Sequence, residues 1–127
     1  MSAAPGRRRV LVVDDAGEVV VLCVNMLQSI GYAVKGANRP DTALELLRKE
    51  RFDLIIVDYK MPDMTGFELF EQARALQPGL GFMLLTGHGT ADVVEDATEM
   101  GFHAILLKPF TRAQLRAAVE QALSVRG

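Results

Sequence analysis

Acidic, hydroxyl and amino side chains follow four short apolar runs of this 127-residue chain. Asp14 and Asp15 follow the first run, Asp58 the third, Thr86 the fourth and Lys108 the fifth. Carboxylates that share a pocket repel one another, and a divalent cation removes that conflict. Oxygen ligands favour Mg²⁺, with Mn²⁺ as a possible substitute. A lysine and a hydroxyl beside the metal could bind the oxygens of a phosphoryl group, so Asp58 is a candidate nucleophile that forms an acyl phosphate.

Strands and helices that alternate along the chain must bring these residues together. Segments with helical periodicity separate five apolar runs, each of which is short enough for a buried strand. The runs are Val10–Val13, Ala33–Lys35, Leu54–Val57, Phe82–Leu85 and Ala104–Leu107. This alternation predicts a doubly wound α/β domain with a parallel sheet and helices on both faces. The carboxyl ends of parallel strands share one edge, where ligands bind in such folds.

Glycines, prolines and capping residues predict where the helices begin and end. Gly31 and Gly101 follow apolar helical stripes and are candidate C-caps. Pro78-Gly79 is expected to close the helix before the fourth strand. Thr111 with Gln114 has the spacing of a capping box, which predicts the start of a last helix.

Each polar residue also has an ordinary structural interpretation when it is considered alone. Asp15 could cap the first helix, and Asp58 could be a turn residue. Lys108 could be a solvated charge, and Thr86 could bond to backbone at a strand end. Their joint occurrence at the ends of four strands is what favours a shared site.

Composition and charge limit the classes of function. The length is sufficient for one domain, and we expect a tail at residues 1–8 and a folded domain at 9–125. A net charge of −2 favours neither nucleic acid nor an anionic membrane as a direct partner. No apolar run approaches the ~20 residues that cross a bilayer. The single cysteine, Cys23, fits a reducing cytoplasmic setting.

Four motifs in order strongly resemble the response regulator receiver family of two-component signalling, the CheY-like domains. They are Val-Val-Asp14-Asp15, the nine residues from Asp58 to Gly66, Thr86-Gly87, and Lys108-Pro109-Phe110. The resemblance covers roughly residues 8 to 125. It implies a flavodoxin-like sheet of order 2-1-3-4-5 flanked by five helices.

The resemblance also implies roles for the site residues. Asp58 would take a phosphoryl group from a histidine kinase or a histidine phosphotransfer protein, and Thr86 and Lys108 would contact that group. The metal ligands would be Asp14, Asp15, Asp58 and the backbone carbonyl of Lys60. The bond before Pro109 would be cis, and Pro62 with Gly66 would shape the loop after Asp58. Such a domain promotes its own phosphorylation and dephosphorylation without being a dedicated enzyme.

The chain departs from the family pattern at one position of the switch. Many receivers carry an aromatic residue three positions before the lysine, where this chain has Ile105. A β-branched side chain has no ring to swing, so Ile105 is expected to be a packed strand residue. Coupling would then pass through Thr86 and the loop from Gly87 to Gly89. Lys60 and His88, each two residues after a site residue, are expected to affect the lifetime of the acyl phosphate.

Charges on the last two helices suggest a contact surface. The fourth helix is acidic, and the fifth carries Arg112 and Arg116. In the receiver family, the face formed by the fourth helix, the fifth strand and the fifth helix commonly mediates dimers or partner contacts. A homodimer through this face is a possibility, although such charges are usually only solvated.

Two other functions can be compared with a phosphorylated receiver. A phosphatase of the haloacid dehalogenase kind also forms an aspartyl phosphate, but its nucleophile lies in a DxD motif after the first strand, where this chain has Asp14-Asp15. A receiver-shaped interaction domain that is never phosphorylated is disfavoured because every phosphorylation residue is present.

Overall fold

Five strands and five helices alternate along the chain in the computed structural model, which describes residues 7–87 and 89–125. The strands are β1 (Arg9–Val13), β2 (Ala33–Ala37), β3 (Leu54–Asp58), β4 (Gly81–Thr86) and β5 (Ala104–Leu107). The helices are α1 (Gly17–Ser29), α2 (Pro40–Lys49), α3 (Gly66–Leu76), α4 (Ala91–Met100) and α5 (Arg112–Val125). The predicted α/β alternation is therefore confirmed.

The strands form one parallel sheet in the order β2-β1-β3-β4-β5, which confirms the predicted order. The ladders extend slightly further than the apolar runs do. Asp58 pairs with Leu85, and Thr86 pairs with Leu107. Asp58 and Thr86 are thus the last residues of their strands, whereas the sequence placed them just after. The reason is that backbone pairing continues for one residue beyond the apolar side chains.

Alternation of side chains divides the buried residues into two clusters, one on each face of the sheet. Leu11, Ile55 and Leu84 belong to the cluster that α2, α3 and α4 cover. Val12, Ile56 and Leu85 belong to the cluster that α1 and α5 cover. Because both faces of this parallel sheet are buried, the strands carry consecutive apolar residues instead of alternating apolar and polar ones.

Side-chain caps fix the starts of the three helices that follow the last three strands. Thr65 and Glu68 form a capping box at α3, and Thr90 accepts a hydrogen bond from the backbone of α4. The predicted box of Thr111 and Gln114 is confirmed, since each side chain accepts from the other's backbone amide. These caps satisfy amides that the helix itself leaves unpaired.

Glycines lie at the ends of two helices, and the expected C-cap is confirmed for Gly101 but not for Gly31, since Ile30 holds that position in α1. Gly101 is the C-cap of α4 with φ of 112°, and Gly31 follows the C-cap of α1 with φ of 106°. This left-handed conformation costs a glycine little. The helix before β4 ends at Leu76, just before Pro78-Gly79.

Gln77 links the end of α3 to the end of α2 and the loop that leads from it to β3. Its side-chain oxygen accepts from the Phe52 amide at 3.1 Å, and its nitrogen donates to the carbonyls of Leu47 at 2.8 Å and Glu50 at 2.6 Å. The side chain is buried, so these bonds replace those that water would have made.

Two further features of the described residues concern the single cysteine and the character of the helices. Cys23 is fully buried in α1, and burial raises its pKa to about 11. None of the helices within residues 7–87 and 89–125 combines the length and the apolar character of a membrane span. The predicted tail falls largely on residues 1–6, which lie outside the described residues.

Candidate functional site

Three carboxylates meet at the carboxyl edge of the sheet. Ligand atoms of Asp14, Asp15 and Asp58 all lie within 4.8 Å of one another. Asp14 is fully buried, Asp58 is 5 % exposed, and Asp15 faces solvent. The fold therefore brings together residues that are more than forty positions apart, as the positions of the apolar runs predict.

The chain turns sharply after β1 to place the acid pair. Asp14 Oδ1 accepts a hydrogen bond of 2.9 Å from the Ala16 amide, which fixes the carboxylate at the start of the β1–α1 loop. Ala16 is the N-cap of α1 and makes no side-chain cap. The alternative that Asp15 caps this helix is wrong, because the helix begins one residue too late for Asp15 to occupy the cap position.

Lys108 is held against two of the carboxylates. Its Nζ lies 2.8 Å from Asp14 Oδ2 and donates a hydrogen bond of 3.1 Å to Asp58 Oδ1. Its backbone amide donates to the Thr86 carbonyl at 2.8 Å, which ties the end of β5 to the end of β4. The Lys108–Pro109 peptide bond is cis, the form that the family resemblance implies.

Burial and the neighbouring charges shift the pKa values of two residues of the site. Burial and the charge of Asp14 raise the pKa of Asp58 to about 6, although Lys108 opposes that shift. Burial alone would lower the pKa of Lys108, but Asp14 and Asp58 raise it above its ordinary value. Lys108 therefore stays protonated. Its single positive charge could not balance three ionised carboxylates, so a further cation would stabilise the cluster.

The donor set fits a hard divalent cation. All three side chains offer carboxylate oxygens, the ligands that Mg²⁺ prefers. Asp14 Oδ2 is buried and accepts no well-aligned hydrogen bond, because its contact with Lys108 is an ion pair of poor hydrogen-bond geometry. A buried oxygen in that state is expected to have a further electrostatic partner.

A close backbone approach shapes the loop after Asp58. The Gly66 amide donates to the Tyr59 carbonyl at 2.8 Å. A Cβ at Gly66 would lie 2.7 Å from the Asp58 carbonyl oxygen and 3.1 Å from Tyr59 Cα. Only glycine lets α3 begin this close to β3, so Gly66 sets the position of the Asp58 backbone.

Thr86, Lys60 and Gly87 lie at or just after the ends of β3 and β4. Thr86 ends β4 and is buried, on the strand between Asp58 and Lys108. Lys60 and Gly87 are exposed in the loops after β3 and β4. His88 lies outside the described residues, so its expected role stays a prediction.

Ile105 is a packed strand residue, as the sequence favours. It lies in β5, is half-buried and packs against the cluster beneath α2, α3 and α4. An aliphatic residue in this position fills space between strand and helix.

An apolar hollow, which the sequence analysis does not predict, lies beside the site. It has a volume of about 340 Å³ and is bordered by Val19, Leu22, Lys108, Pro109 and Phe110. Leu22 is 44 % exposed, although it belongs to the helical stripe that would ordinarily be buried. The sequence does contain a signal for this hollow. The helix α1 carries more apolar residues than one buried face needs, so some of them must lie at the surface.

Comparison with known proteins agrees with the geometry of the site. The response regulator receiver domain family matches residues 10–120. The transcriptional regulatory protein GlrR of Escherichia coli K12 is 35 % identical over 113 residues, which are 89 % of this chain and 26 % of GlrR. Sporulation initiation phosphotransferase F of Bacillus subtilis 168 is 28 % identical over 93 % of this chain and 95 % of that protein.

Solved structures show the same fold. Chemotaxis protein CheY4 of Vibrio cholerae superposes with a TM-score of 0.87 at 31 % identity. The match covers 93 % of this chain and 100 % of that chain. A CheY-like receiver domain protein of Methanospirillum hungatei JF-1 also gives 0.87, at 29 % identity over 95 % of this chain and 97 % of its own. The chain spans about a quarter of GlrR, and nearly all of the smaller relatives. With its carboxylate cluster, its lysine and its strand order, this chain belongs to the response regulator receiver domain family.

Proposed function

We propose that Asp58 accepts a phosphoryl group from a phosphohistidine donor in a Mg²⁺-dependent reaction, and that phosphorylation switches a partner-binding surface. The observation that carries this proposal is the convergence of Asp14, Asp15 and Asp58 within 4.8 Å, with Lys108 bound to two of them. The convergence gives a nucleophile, a cation site and a fixed positive charge at one edge of the sheet.

In the reaction, an oxygen of Asp58 attacks the phosphorus of the donor. The bond from phosphorus to the donor's imidazole nitrogen breaks, the electron pair stays on that nitrogen, and the nitrogen takes up a proton. Lys108 and the Thr86 hydroxyl would meet the phosphoryl oxygens, whose charge is the main obstacle to the transfer. To do so, Lys108 must exchange its contact with Asp58 Oδ1 for a contact with the phosphoryl group.

The metal would be held by Asp14, Asp15, Asp58 and the backbone carbonyl of Lys60. When bound, Mg²⁺ would neutralise the carboxylates and the incoming phosphoryl oxygens. Mn²⁺ offers the same preference for oxygen ligands and is a possible substitute. The buried, poorly satisfied Asp14 Oδ2 supports this assignment.

The donor would be a histidine kinase or a histidine phosphotransfer protein that docks beside Lys108. The apolar hollow reaches Lys108 and is bordered on α1 by Val19 and by Leu22, whose side chain is 44 % exposed. Such exposed apolar surface beside a reactive group marks an interaction site. It would hold the partner while a histidine reaches Asp58.

The face formed by α4, β5 and α5 is proposed as a second contact surface, for a homodimer or an output partner. Leu107 is 49 % exposed and Val94 is 37 % exposed on this face. Acidic residues of α4 and Arg116 of α5 offer complementary charges to a second copy, whereas the guanidinium of Arg112 donates to Ser29 Oγ of α1. Arg116 is partly occupied, since its Nε lies 3.1 Å from Glu120. Light scattering after chromatography, with and without a phosphodonor, tests the dimer.

Phosphorylation is tested by incubation with Mg²⁺ and acetyl phosphate, followed by intact mass. The native chain should gain one phosphoryl group, and chelation of the metal should prevent the gain. Asp58→Asn should show none, whereas Asp63→Asn, an exposed acid in the same loop, should behave as the native chain. A native chain without the adduct, or an equal adduct on Asp58→Asn, would contradict the proposal and favour an interaction domain that is never phosphorylated.

A further inference from the structure

A cavity lies at the edge of the sheet where the strands begin, opposite the edge that carries the carboxylate cluster. Its volume is about 280 Å³, close to the roughly 300 Å³ at which small-molecule sites begin. Arg7 and Arg9 line it from the chain around the start of β1, residues 51–53 from the segment before β3, and residues 76–80 from the segment before β4. Since β1, β3 and β4 are neighbours in the sheet, three separate parts of the chain form one arginine-lined cavity.

The lining of the arginine-lined cavity carries an excess of positive charge. Arg7, Arg9 and Arg51 contribute three positive charges and Asp53 contributes one negative charge, which leaves two positive charges. Asp53 Oδ2 accepts a hydrogen bond of 2.8 Å from the Arg9 amide. The chain as a whole has a net charge of −2, so this excess is local. A bound dianion would balance it.

Arg9 is held in place by several contacts. Its guanidinium donates to the Arg51 carbonyl at 2.6 Å and to Glu50, and it lies 4.9 Å from the centre of the Phe52 ring. The Glu50 carboxylate also pairs with Lys35, so those two residues together add no net charge beside the cavity. Arg9 is therefore a positive charge of fixed position, and a ligand would not have to order its side chain.

Arg7 and Arg51 retain donors for a ligand. Both side chains are exposed. Within residues 7–87 and 89–125, the Arg7 guanidinium makes one hydrogen bond, from Nε to the Gly31 carbonyl at 3.3 Å, and the Arg51 guanidinium makes none. The carbonyls at the end of α2 do not need these cations, since Gln77 already donates to two of them. A guanidinium can bind two oxygens of a phosphate at once, so this pair suits a phosphate group.

The remaining wall of the cavity is apolar. Leu76 is 39 % exposed, and Pro78 is exposed beside it. The turn that carries Pro78 is closed by a hydrogen bond of 3.0 Å from the Leu80 amide to the Gln77 carbonyl. An organic group attached to a bound phosphate would therefore meet an apolar surface that is already in place.

We propose that the arginine-lined cavity binds a small organic phosphate monoester. Arg7 and Arg51 would bind the phosphate oxygens, Arg9 would add a fixed positive charge, and the organic group would lie against Leu76 and Pro78. A phosphate monoester carries close to two negative charges at neutral pH, which matches the charge excess of the lining, whereas a carboxylate carries one. The site lies at the opposite edge from Asp58, so it does not depend on the phosphoacceptor function.

Phenyl phosphate is the probe that tests the location of the site. It is titrated into the isotopically labelled, metal-free chain while the backbone amide signals are recorded by NMR. We expect saturable shifts at residues 51–53 and 79–81, with the signals of Thr86 and Lys108 unmoved. Absence of saturable shifts would overturn the proposal. Shifts confined to Thr86 and Lys108 would place the phosphate at the other edge and overturn it equally.

Single substitutions test the two arginines that are proposed to bind the phosphate. Arg7→Gln and Arg51→Gln should each raise the Kd for phenyl phosphate about tenfold, because each removes a charge-assisted contact. Arg39→Gln is the matched control, since it removes one exposed positive charge at the start of α2, away from the cavity. It should leave the Kd unchanged. Equal weakening by all three substitutions would show that only net charge matters and would contradict the site.

Other probes test the class of ligand. Inorganic phosphate lacks the organic group and benzoate lacks the second charge, so each should bind about tenfold more weakly than phenyl phosphate. Leu76→Ala should weaken phenyl phosphate about threefold and leave inorganic phosphate unchanged. Equal affinity for the three probes would overturn the assignment to a phosphate monoester. A glutamate-rich peptide that binds where phenyl phosphate does not would assign these arginines to a protein partner and overturn it as well.

Discussion

Lys108 Nζ donates a 3.1 Å hydrogen bond to Asp58 Oδ1, the carboxylate that is proposed to accept phosphate. The same ammonium lies 2.8 Å from Asp14 Oδ2. One cation therefore partly neutralises two acids in the resting domain, and it must leave Asp58 Oδ1 when a phosphoryl group arrives. Under the proposed function, Lys108 would compete with a metal for the carboxylates and would assist the metal during transfer, and these two effects can be separated by mutation.

Replacing Lys108 with alanine should change metal binding and phosphorylation in opposite directions. The site loses its resident positive charge, so Mg²⁺ should bind about tenfold more tightly. The transferring group loses a cation, so the initial rate of phosphorylation should fall about a hundredfold. Isothermal titration measures the first effect and intact mass over time the second.

Lys49→Ala is the control for this pair of measurements, because Lys49 is an exposed lysine at the end of α2. It should alter neither quantity. Parallel loss of both metal affinity and rate in Lys108→Ala would point to a collapsed site and contradict the assigned role.

The stability of the metal-free protein should fall as the pH rises from about 4 to 6. The pKa of Asp58 is raised from 3.8 to about 6, so between these values the folded state binds more protons than the unfolded state. Stability then decreases with increasing pH, and this group contributes a loss of about 1 to 3 kcal/mol. Urea unfolding at pH 5 and pH 7, in the presence of a chelator, measures the change.

Asp58→Asn isolates the contribution of this group, since other residues also titrate. The variant should be more stable than the native chain at pH 7 without metal, and its stability should depend less on pH. Addition of Mg²⁺ should stabilise the native chain at pH 7 and have a smaller effect on Asp58→Asn. Equal pH dependence in both proteins would show that Asp58 is not the perturbed group.

Gly66→Ala should destabilise the fold by displacing backbone that cannot yield. The added Cβ would lie 2.7 Å from the Asp58 carbonyl oxygen, a main-chain atom of β3. Overpacking of this kind costs about 1 to 3 kcal/mol. Urea unfolding checks the loss, and Gly79→Ala, which meets open space, should remain close to the native value. The phosphorylation rate of Gly66→Ala should also fall, because Asp58 is moved with its backbone.

Gln77→Ala should lower the free energy of unfolding without affecting the phosphorylation site. The substitution leaves the Phe52 amide and the carbonyls of Leu47 and Glu50 without the partner that satisfies them. Unpaired buried groups cost about 1 to 3 kcal/mol each, and entry of water would reduce the sum. Gln72→Ala, at an exposed position of α3, is the control. A native-like midpoint for Gln77→Ala would show that these bonds are replaced by water at no cost.

The architecture and the main site could be predicted because both depend on local patterns. Short apolar runs between helical stripes define parallel strands, and the topology then forces Asp14, Asp58, Thr86 and Lys108 to one edge. The strand order came from the family resemblance and is confirmed. These inferences require no knowledge of how individual side chains pack.

Features that depend on packing could not be predicted in the same way. Asp15 was a reasonable candidate for the cap of α1, but the turn begins the helix after Ala16. Leu107 lies so close to Gly89 that a Cβ there would be 2.3 Å from Leu107 Cδ2, and this approach depends on tertiary packing. Gln77, which follows α3, satisfies three backbone groups at the end of α2 and in the loop after it, and no spacing in the sequence indicates that arrangement.

The side-chain caps of α3, α4 and α5 affect which groups can balance the charge of a phosphoryl group in this domain. Thr65, Thr90 and Thr111 each accept a hydrogen bond from a first-turn amide of the helix that follows a site loop. Those amides are already committed to threonine oxygens, so they are poorly available to an anion. The charge of an acyl phosphate would therefore be met by Lys108 and by a metal at the carboxylates rather than by these three amides. A receiver built in this way would read the local supply of free magnesium together with the signal from its phosphodonor.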